Sequence, residues 1–206
     1  RQAVFQQKLN LGHSAAWEQK WEQAASFYRE ALKIDEDNPL ALSSLGLALV
    51  ELGQHHEALR CYQRCAQLEP DDPLPLEKIG QLCEITNNTK VAVRAYLRAA
   101  DLHIKRKNGY KAINNWERVL QLDPNDLTAN TRLGIIYEKM GEKTKAVKAL
   151  LAAASEYQSS GSPEKARSTI EQALKILPNN PDAAHFLALL ADYKPLPKEP
   201  RPHELK

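Results

Sequence analysis

The stretch LGLALVELGQHHEALRCYQRCAQLEP, residues 45–70, decides the fold, because its pattern returns along the chain at a constant spacing. Thirty-four residues earlier, the stretch LGHSAAWEQKWEQAASFYREALKIDE at 11–36 has the same order: an apolar residue and Gly, then Ala, Tyr and another small residue. Thirty-four residues later, Ile79-Gly80 is followed in register by Ala92, Tyr96 and Ala99. A repeat of this length indicates supersecondary units that stack on one another.

The glycines and aromatics of the repeat predict how two helices pack within each unit. A glycine at a helix crossing lets two backbones approach, since any side chain would push them apart. We expect the alanines to lie on the other side of that crossing, and the aromatics to fill the gap between units as core residues. These positions hold Gly12, Gly46, Gly80 and Gly134; Ala24, Ala58, Ala92, Ala112, Ala146 and Ala166; and Tyr28, Tyr62, Tyr96 and Trp116.

With these residues in register, the chain resembles the tetratricopeptide repeat (TPR) family of helical-repeat proteins. That family has a large apolar residue and Gly in a first helix, then Ala, an aromatic and Ala in a second, with Pro closing the unit. The resemblance covers nearly all of residues 5–193. It implies an all-α fold, a TPR-like solenoid wound as a right-handed alpha-alpha superhelix.

Beyond residue 72 a longer period replaces the first one. Ile79-Gly80 recurs as Leu133-Gly134, and Pro124-Asn125 recurs as Pro178-Asn179, so the offset is fifty-four positions, from 79 to 133 and from 124 to 178. The second offset is longer than the first period of thirty-four residues. The extra length is the spacing expected if two units overlap on one shared helix, so we interpret each longer module as three helices. The hypothesis carries a further expectation, that an odd number of helices exchanges the inner and outer layers once per module.

The two periods together predict about eleven helices in a single TPR-like array over residues 1–193. The predicted parts are two-helix repeats at 5–38 and 39–72, three-helix modules at 73–126 and 127–180, a capping helix at 181–193 and a proline-rich tail at 194–206. We expect that tail to be an extended or mobile linker rather than a proline ligand for another domain. Because the chain begins with Arg and ends in a proline-rich run, we also expect it to be a piece of a longer protein.

Helix ends are indicated by side chains that cap a helix, followed by proline. Asn38, Asp72, Ser162 and Asn180 each precede a proline, and a cap before Pro at the first helical position is a common start of a helix. Asp126 supplies a cap without proline. Gly53, Gly109 and Gly141 predict turns between helices.

The composition excludes several classes of protein. The net charge of +2 gives no reason to expect nucleic acid as a partner, and no apolar run is long enough for membrane insertion. Cys61, Cys65 and Cys83 do not form a disulfide framework, so we interpret them as buried thiols in a reducing, cytoplasmic setting. Neither a catalytic motif nor a metal-ligand spacing is present, which predicts a protein that is not an enzyme, with no catalytic residues, no metal and no cofactors.

The resemblance implies a binding groove lined by the first helix of each unit. The candidate partner-binding residues on that face are Leu9, His13, Leu40, Ser43, Leu47, Val50, Glu77 and Gln81. Some TPR domains clamp a partner's terminal carboxylate with Lys and Asn at such places. Leu9 and His13 stand there in this chain, which argues against such a clamp.

A basic stripe forms a second candidate surface. Between Thr89 and Lys111 there are seven basic residues and one acidic residue. On a helix, Lys90, Arg94, Arg98 and Lys105 fall on one side, with Asp101 placed to pair with some of them. Two interpretations stay open: a solvated outer face, or a stripe that recognises an acidic or phosphorylated segment.

These observations predict a protein–protein interaction scaffold that binds a partner peptide or amphipathic helix in a concave groove, with an acidic partner as one option. The alternative is a regulatory arm of a larger enzyme or sensor whose catalytic domain lies outside this segment. RNA binding is disfavoured, because acidic residues dominate the first half of the chain. The sequence leaves self-association open.

Overall fold

The computed structural model describes residues 1–198, and within that range the chain forms eleven α-helices and no strand. This confirms the all-α, TPR-like fold with its predicted number of helices. The helices are α1 Gln2–Trp17, α2 Trp21–Leu32, α3 Pro39–Glu51, α4 His55–Leu68, α5 Pro73–Ile85, α6 Thr89–Lys105, α7 Gly109–Leu122, α8 Leu127–Lys139, α9 Lys143–Ser159, α10 Pro163–Ile176 and α11 Pro181–Ala191. The chain divides into two compact units, Arg1–Arg106 and the part from Lys107 onward.

Most of the predicted caps are made. The side-chain oxygens of Asn38, Asp126 and Asn180 accept hydrogen bonds from backbone N–H groups in the first turns of α3, α8 and α11, at 2.7–3.1 Å. Asp72 makes a longer bond, 3.4 Å, to the N–H of Leu74. Ser162 stands before α10 as predicted, but its side chain makes no capping hydrogen bond.

The turn prediction holds at two of the three glycines. Gly53 and Gly141 have φ of 70° and 78°, in the left-handed region that suits glycine. Gly109 instead begins α7, so the prediction of a turn there was wrong. The positive φ in that connection, 58°, belongs to Lys107.

In the first unit, α1 to α6 pack in sequence, each helix against the next. The tyrosine of each second helix covers the glycine of the first helix in the same pair. A Cβ on Gly46 would meet the ring of Tyr62 at 2.9 Å, and a Cβ on Gly80 would meet the ring of Tyr96 at 2.6 Å. The rings therefore fill the helix crossings themselves, and glycine is required there for steric reasons.

In the second unit, α7 to α11 also pack in sequence. A Cβ on Gly134 of α8 would meet the side chain of Leu150 of α9 at 2.7 Å, so leucine here takes the place of tyrosine. Helix α9 packs extensively against both α8 and α10, and α11 contacts α10 and α9. The grouping of the eleven helices into two-helix repeats, three-helix modules and a cap stays a prediction.

The core is built largely from small side chains. All six alanines predicted at the crossings are fully buried, at 0% exposure. The three cysteines are buried free thiols, and burial raises the pKa of Cys61 and of Cys65 to about 11. They are therefore neutral and unreactive near neutral pH, as structural thiols are.

Candidate binding surfaces

An open groove of about 780 Å³ lies in the first unit. Its walls come from α1, from the connection between α2 and α3, and from the starts of α3 and α5. The apolar lining residues are Phe5, Leu9, Ile34, Pro39, Leu40, Tyr62, Leu74 and Pro75. Such a mainly apolar concavity with a few polar groups is typical of sites that bind a ligand or a peptide.

The floor of this groove is uncharged, because its two titratable groups are buried. Burial raises the pKa of Tyr62 to about 12 and, with the nearby Cys61 and Glu69, that of Cys65 to about 11. The thiol of Cys65 lies 3.5 Å from the carbonyl oxygen of Pro39. The carboxylates of Asp35, Glu69 and Asp72 also line the groove; Asp35 and Glu69 are exposed, and Asp72 lies 3.3 Å from Arg106.

Helix α3 presents an exposed apolar stripe next to this groove. Leu40 is 55% exposed and Leu47 is 44% exposed, one on either side of Ser43, which lines the groove. Val50 is half-buried at the end of the same helix. Large side chains left in water at this spacing form a continuous surface that a partner could cover.

The residues predicted on α1 lie in different environments. Leu9 is only 2% exposed, so it forms part of the groove wall and offers little surface of its own. His13 is exposed; its ring lies 5.6 Å from that of Tyr28, and its Nε2 is 3.4 Å from Ser44 Oγ. Tyr28 also hydrogen bonds Ser44, which partly offsets the rise in its pKa caused by burial.

On α5, one predicted residue faces the neighbouring helix and the other faces solvent. Glu77 Oε1 is 2.8 Å from Nε2 of His103, which is buried on α6, so Glu77 holds α5 and α6 together. Gln81 is exposed and accepts a hydrogen bond from Lys78. The outward side of α5 thus carries Leu74, Lys78, Gln81 and Ile85.

The predicted basic stripe on α6 is exposed at Lys90, Arg94, Arg98 and Lys105. The Nε of Arg94 donates to the carbonyl oxygen of Lys90. Within residues 1–198, no carboxylate forms a salt bridge with any of the four side chains. The expected pairing with Asp101 is therefore not formed in the described part of the chain.

Sequence reasoning missed Leu74, which is 52% exposed and lines the groove. The signal for it was present, since Leu74 occupies the same place in its repeat as Leu40 does in the preceding one. It also missed Phe5 and Ile34, because a connection between helices carries no periodic signal that would place Ile34 on the groove.

Other kinds of site are not seen in the described residues. Between residues 1 and 198, no three His, Cys, Asp or Glu side chains are grouped so that they could hold a metal ion. No helix in that range combines the length and the apolarity needed to span a membrane.

Comparison with protein-family models identifies tetratricopeptide repeats along most of the chain, at residues 18–53, 39–72, 97–160 and 147–190. The chain belongs to the tetratricopeptide repeat family. TPR proteins generally mediate protein–protein interactions and are typically non-catalytic. Protein binding is therefore typical of the family to which the chain belongs.

Several solved structures resemble the TPR chain at low sequence identity. A crystal structure of MamA protein is 20% identical, with a TM-score of 0.48, covering 85% of this chain and 96% of that one. PilF of Pseudomonas aeruginosa is 17% identical, with a TM-score of 0.44, covering 91% and 98%. A tetratricopeptide repeat protein from Parabacteroides merdae is 16% identical, with a TM-score of 0.45, covering 93% and 88%. No curated protein sequence matches the chain significantly.

Proposed function

We propose that this TPR chain is an interaction scaffold that binds a peptide or an amphipathic helix of a partner protein in the groove of its first unit. The observation that carries the proposal is the exposed pair Leu40 and Leu47 beside an apolar groove of about 780 Å³. Apolar area in water favours burial by roughly 25 cal/mol per Å², so covering this surface gives a partner much of its affinity.

The charges around the groove specify the partner further. Three carboxylates line the groove, on Asp35, Glu69 and Asp72, against one basic side chain, that of Arg1. A partner with basic residues beside its apolar anchors is therefore complementary. The stripe on α6 has the opposite sign. A partner that also reached Arg94 and Arg98 would carry acidic or phosphorylated residues there.

In the alternative function, any catalytic activity would belong to another domain of a larger protein. A regulatory or interaction arm of a larger enzyme or sensor would use the same groove, because the arm also acts by binding. The two functions differ in what the groove holds: another protein for a scaffold, or a domain of the same full-length protein for an arm.

The test compares the proteins bound by three chains in lysate of the source cell: the native chain, a Leu40→Asp, Leu47→Asp double variant and an Arg94→Glu, Arg98→Glu double variant. A Gln63→Asp variant on the exposed side of α4 is the matched control. We expect a specific partner that binds the native and control chains but not the leucine double variant. The reason is that a charged aspartate at each position replaces the apolar side chain that the partner would cover.

Loss of the same partner from the arginine double variant would add the α6 stripe to the interface. If the bound proteins are the same for all four chains, the groove is not the binding surface and the proposal fails. Circular dichroism of each variant establishes that the helices are intact.

A further inference from the structure

The chain folds back on itself after its last helix. Helix α11 ends at Ala191, and Tyr193 has φ of 57°, in the left-handed region, which reverses the direction of the chain. Residues 194–198 then run without helix or strand, and within them Leu196 is only 7% exposed. Sequence reasoning predicted an extended or mobile linker here, and the rest of that predicted tail, 199–206, lies outside the described residues.

Two side chains of α9 hold this segment by its backbone. The Oε1 of Gln158 accepts from the N–H of Leu196 at 2.7 Å, and its Nε2 donates to the carbonyl oxygen of Lys194 at 2.9 Å. Ser155 Oγ donates to the carbonyl oxygen of Leu196 at 3.4 Å, and Ser155 is itself 1% exposed. One amide thus bonds an acceptor on Lys194 and a donor on Leu196, two residues apart in the chain.

The held segment leads toward a second groove in the same unit. Past its bonds to Gln158 and Ser155, the segment continues to Lys198. This residue borders a groove of about 430 Å³ between α7, α8 and α9. Its apolar walls include Leu120, Leu133 and Ala149. The contacts with the segment and the walls of this groove therefore form one continuous track along α9.

The groove also has a basic side. Lys145 and Lys148 line it from α9. Lys145 lies 3.6 Å from Glu142 and 5.4 Å from the ring centre of Tyr137, whereas Lys148 forms no salt bridge with any carboxylate among residues 1–198. On the opposite wall, Glu117 accepts a hydrogen bond from the hydroxyl of Tyr137 at 2.6 Å.

We propose that this track on α9 is a binding site for an extended segment of a partner protein, with a leucine between two prolines followed by acidic residues. The chain's own Lys194–Lys198, in which Leu196 stands between Pro195 and Pro197, occupies the site in cis. Prolines favour the extended conformation before binding and reduce its entropic cost. The acidic residues pair with Lys148, and Gln158 reads the backbone. This site is separate from the groove of the first unit.

The test uses the full chain and a fluorescein-labelled peptide with the sequence of residues 192–200, DYKPLPKEP, with binding followed by fluorescence anisotropy. In a Leu196→Asp chain the tail loses its apolar anchor, so the site opens and the peptide binds. The native chain should bind at least about tenfold more weakly, because its own tail is present at a high effective concentration. A peptide carrying Glu in place of its Lys198 should bind the opened chain more tightly than the native peptide.

The role of the amide is tested in the opened chain. Gln158→Ala in the Leu196→Asp background should weaken the peptide about fivefold or more, since two hydrogen bonds are lost. Gln23→Ala, on the exposed side of α2, is the control and should leave binding unchanged. Equal binding by the native and Leu196→Asp chains, no binding by either, or an unchanged affinity in the Gln158→Ala chain would overturn the proposal.

A second measurement needs no opened variant. In the native chain, hydrogen exchange at the Leu196 amide, followed by nuclear magnetic resonance, should be slowed by its bond to Gln158. Gln158→Ala should accelerate it about tenfold. Exchange at the unprotected rate in the native chain would show that the segment is not held, and the inference would fail.

Discussion

At the scale of single residues, the repeat depends on pairing a glycine with a large side chain on the next helix. Tyr62 covers Gly46 and Tyr96 covers Gly80, while Leu150 covers Gly134. The ring or the leucine occupies the volume that a Cβ would need. The glycine and its partner must therefore be considered as one unit of packing.

Replacing such a glycine should destabilise the fold although alanine favours helix. In Gly46→Ala the new Cβ would lie 2.9 Å from the Tyr62 ring, and such overpacking costs about 1–3 kcal/mol, against a gain of up to about 1 kcal/mol from helix propensity. We expect a net loss of about 1–2 kcal/mol in the free energy of unfolding, measured with urea.

Gly109→Ala provides the matched control, because the nearest atom to its Cβ, on Ile136, is 3.8 Å away. It should change the free energy of unfolding by less than about 0.5 kcal/mol. Equal effects of the two alanines would contradict the steric account of the glycine positions.

At the scale of helices, capping decides where several of them begin, and caps that look alike in sequence differ in the structure. Asn180 and Ser162 both precede a proline that starts a helix. Asn180 Oδ1 accepts from the N–H of Ala183 at 2.8 Å, whereas Ser162 makes no capping bond with its side chain. The sequence pattern identifies the position of the helix start but not the bond.

This difference predicts unequal effects of alanine at the two caps. Asn180→Ala should lower the free energy of unfolding by about 1 kcal/mol, since an N–H at the start of α11 loses its partner. Ser162→Ala should lower the free energy of unfolding by no more than about 0.3 kcal/mol. Urea unfolding followed by circular dichroism measures both, and a larger loss in Ser162→Ala would refute the assignment.

Periodic features of the chain could be predicted from its sequence, and features that depend on specific contacts could not. The alanines, the glycines and all eleven helices follow from spacing, because each turn of a helix returns a side chain to the same face. The bond between Glu77 and His103 and the burial of Leu9 depend on which side chains of other helices lie next to them, and the spacing of one helix does not specify those. The packing of Leu196 on α9 has no periodic signal at all.

At the scale of the whole molecule, each unit is a series of helices packed against their neighbours in the chain. Within each helix pair, the glycine of the first helix packs against the tyrosine of the second. The outward side of the first helix is therefore not needed for packing within the pair. In the first unit, this leaves Leu40, Leu47 and Leu74 in contact with water. We attribute binding to this surface, since apolar area of this kind gains free energy when a partner covers it.

The most direct test of this central claim is a peptide-display selection against the immobilised full chain, with each enriched peptide re-measured on the Leu40→Asp, Leu47→Asp variant. The account predicts peptides with apolar anchors flanked by basic residues, binding the double variant at least about tenfold more weakly than the native chain. Enriched peptides that bind both chains equally well, or peptides without apolar anchors, would contradict it.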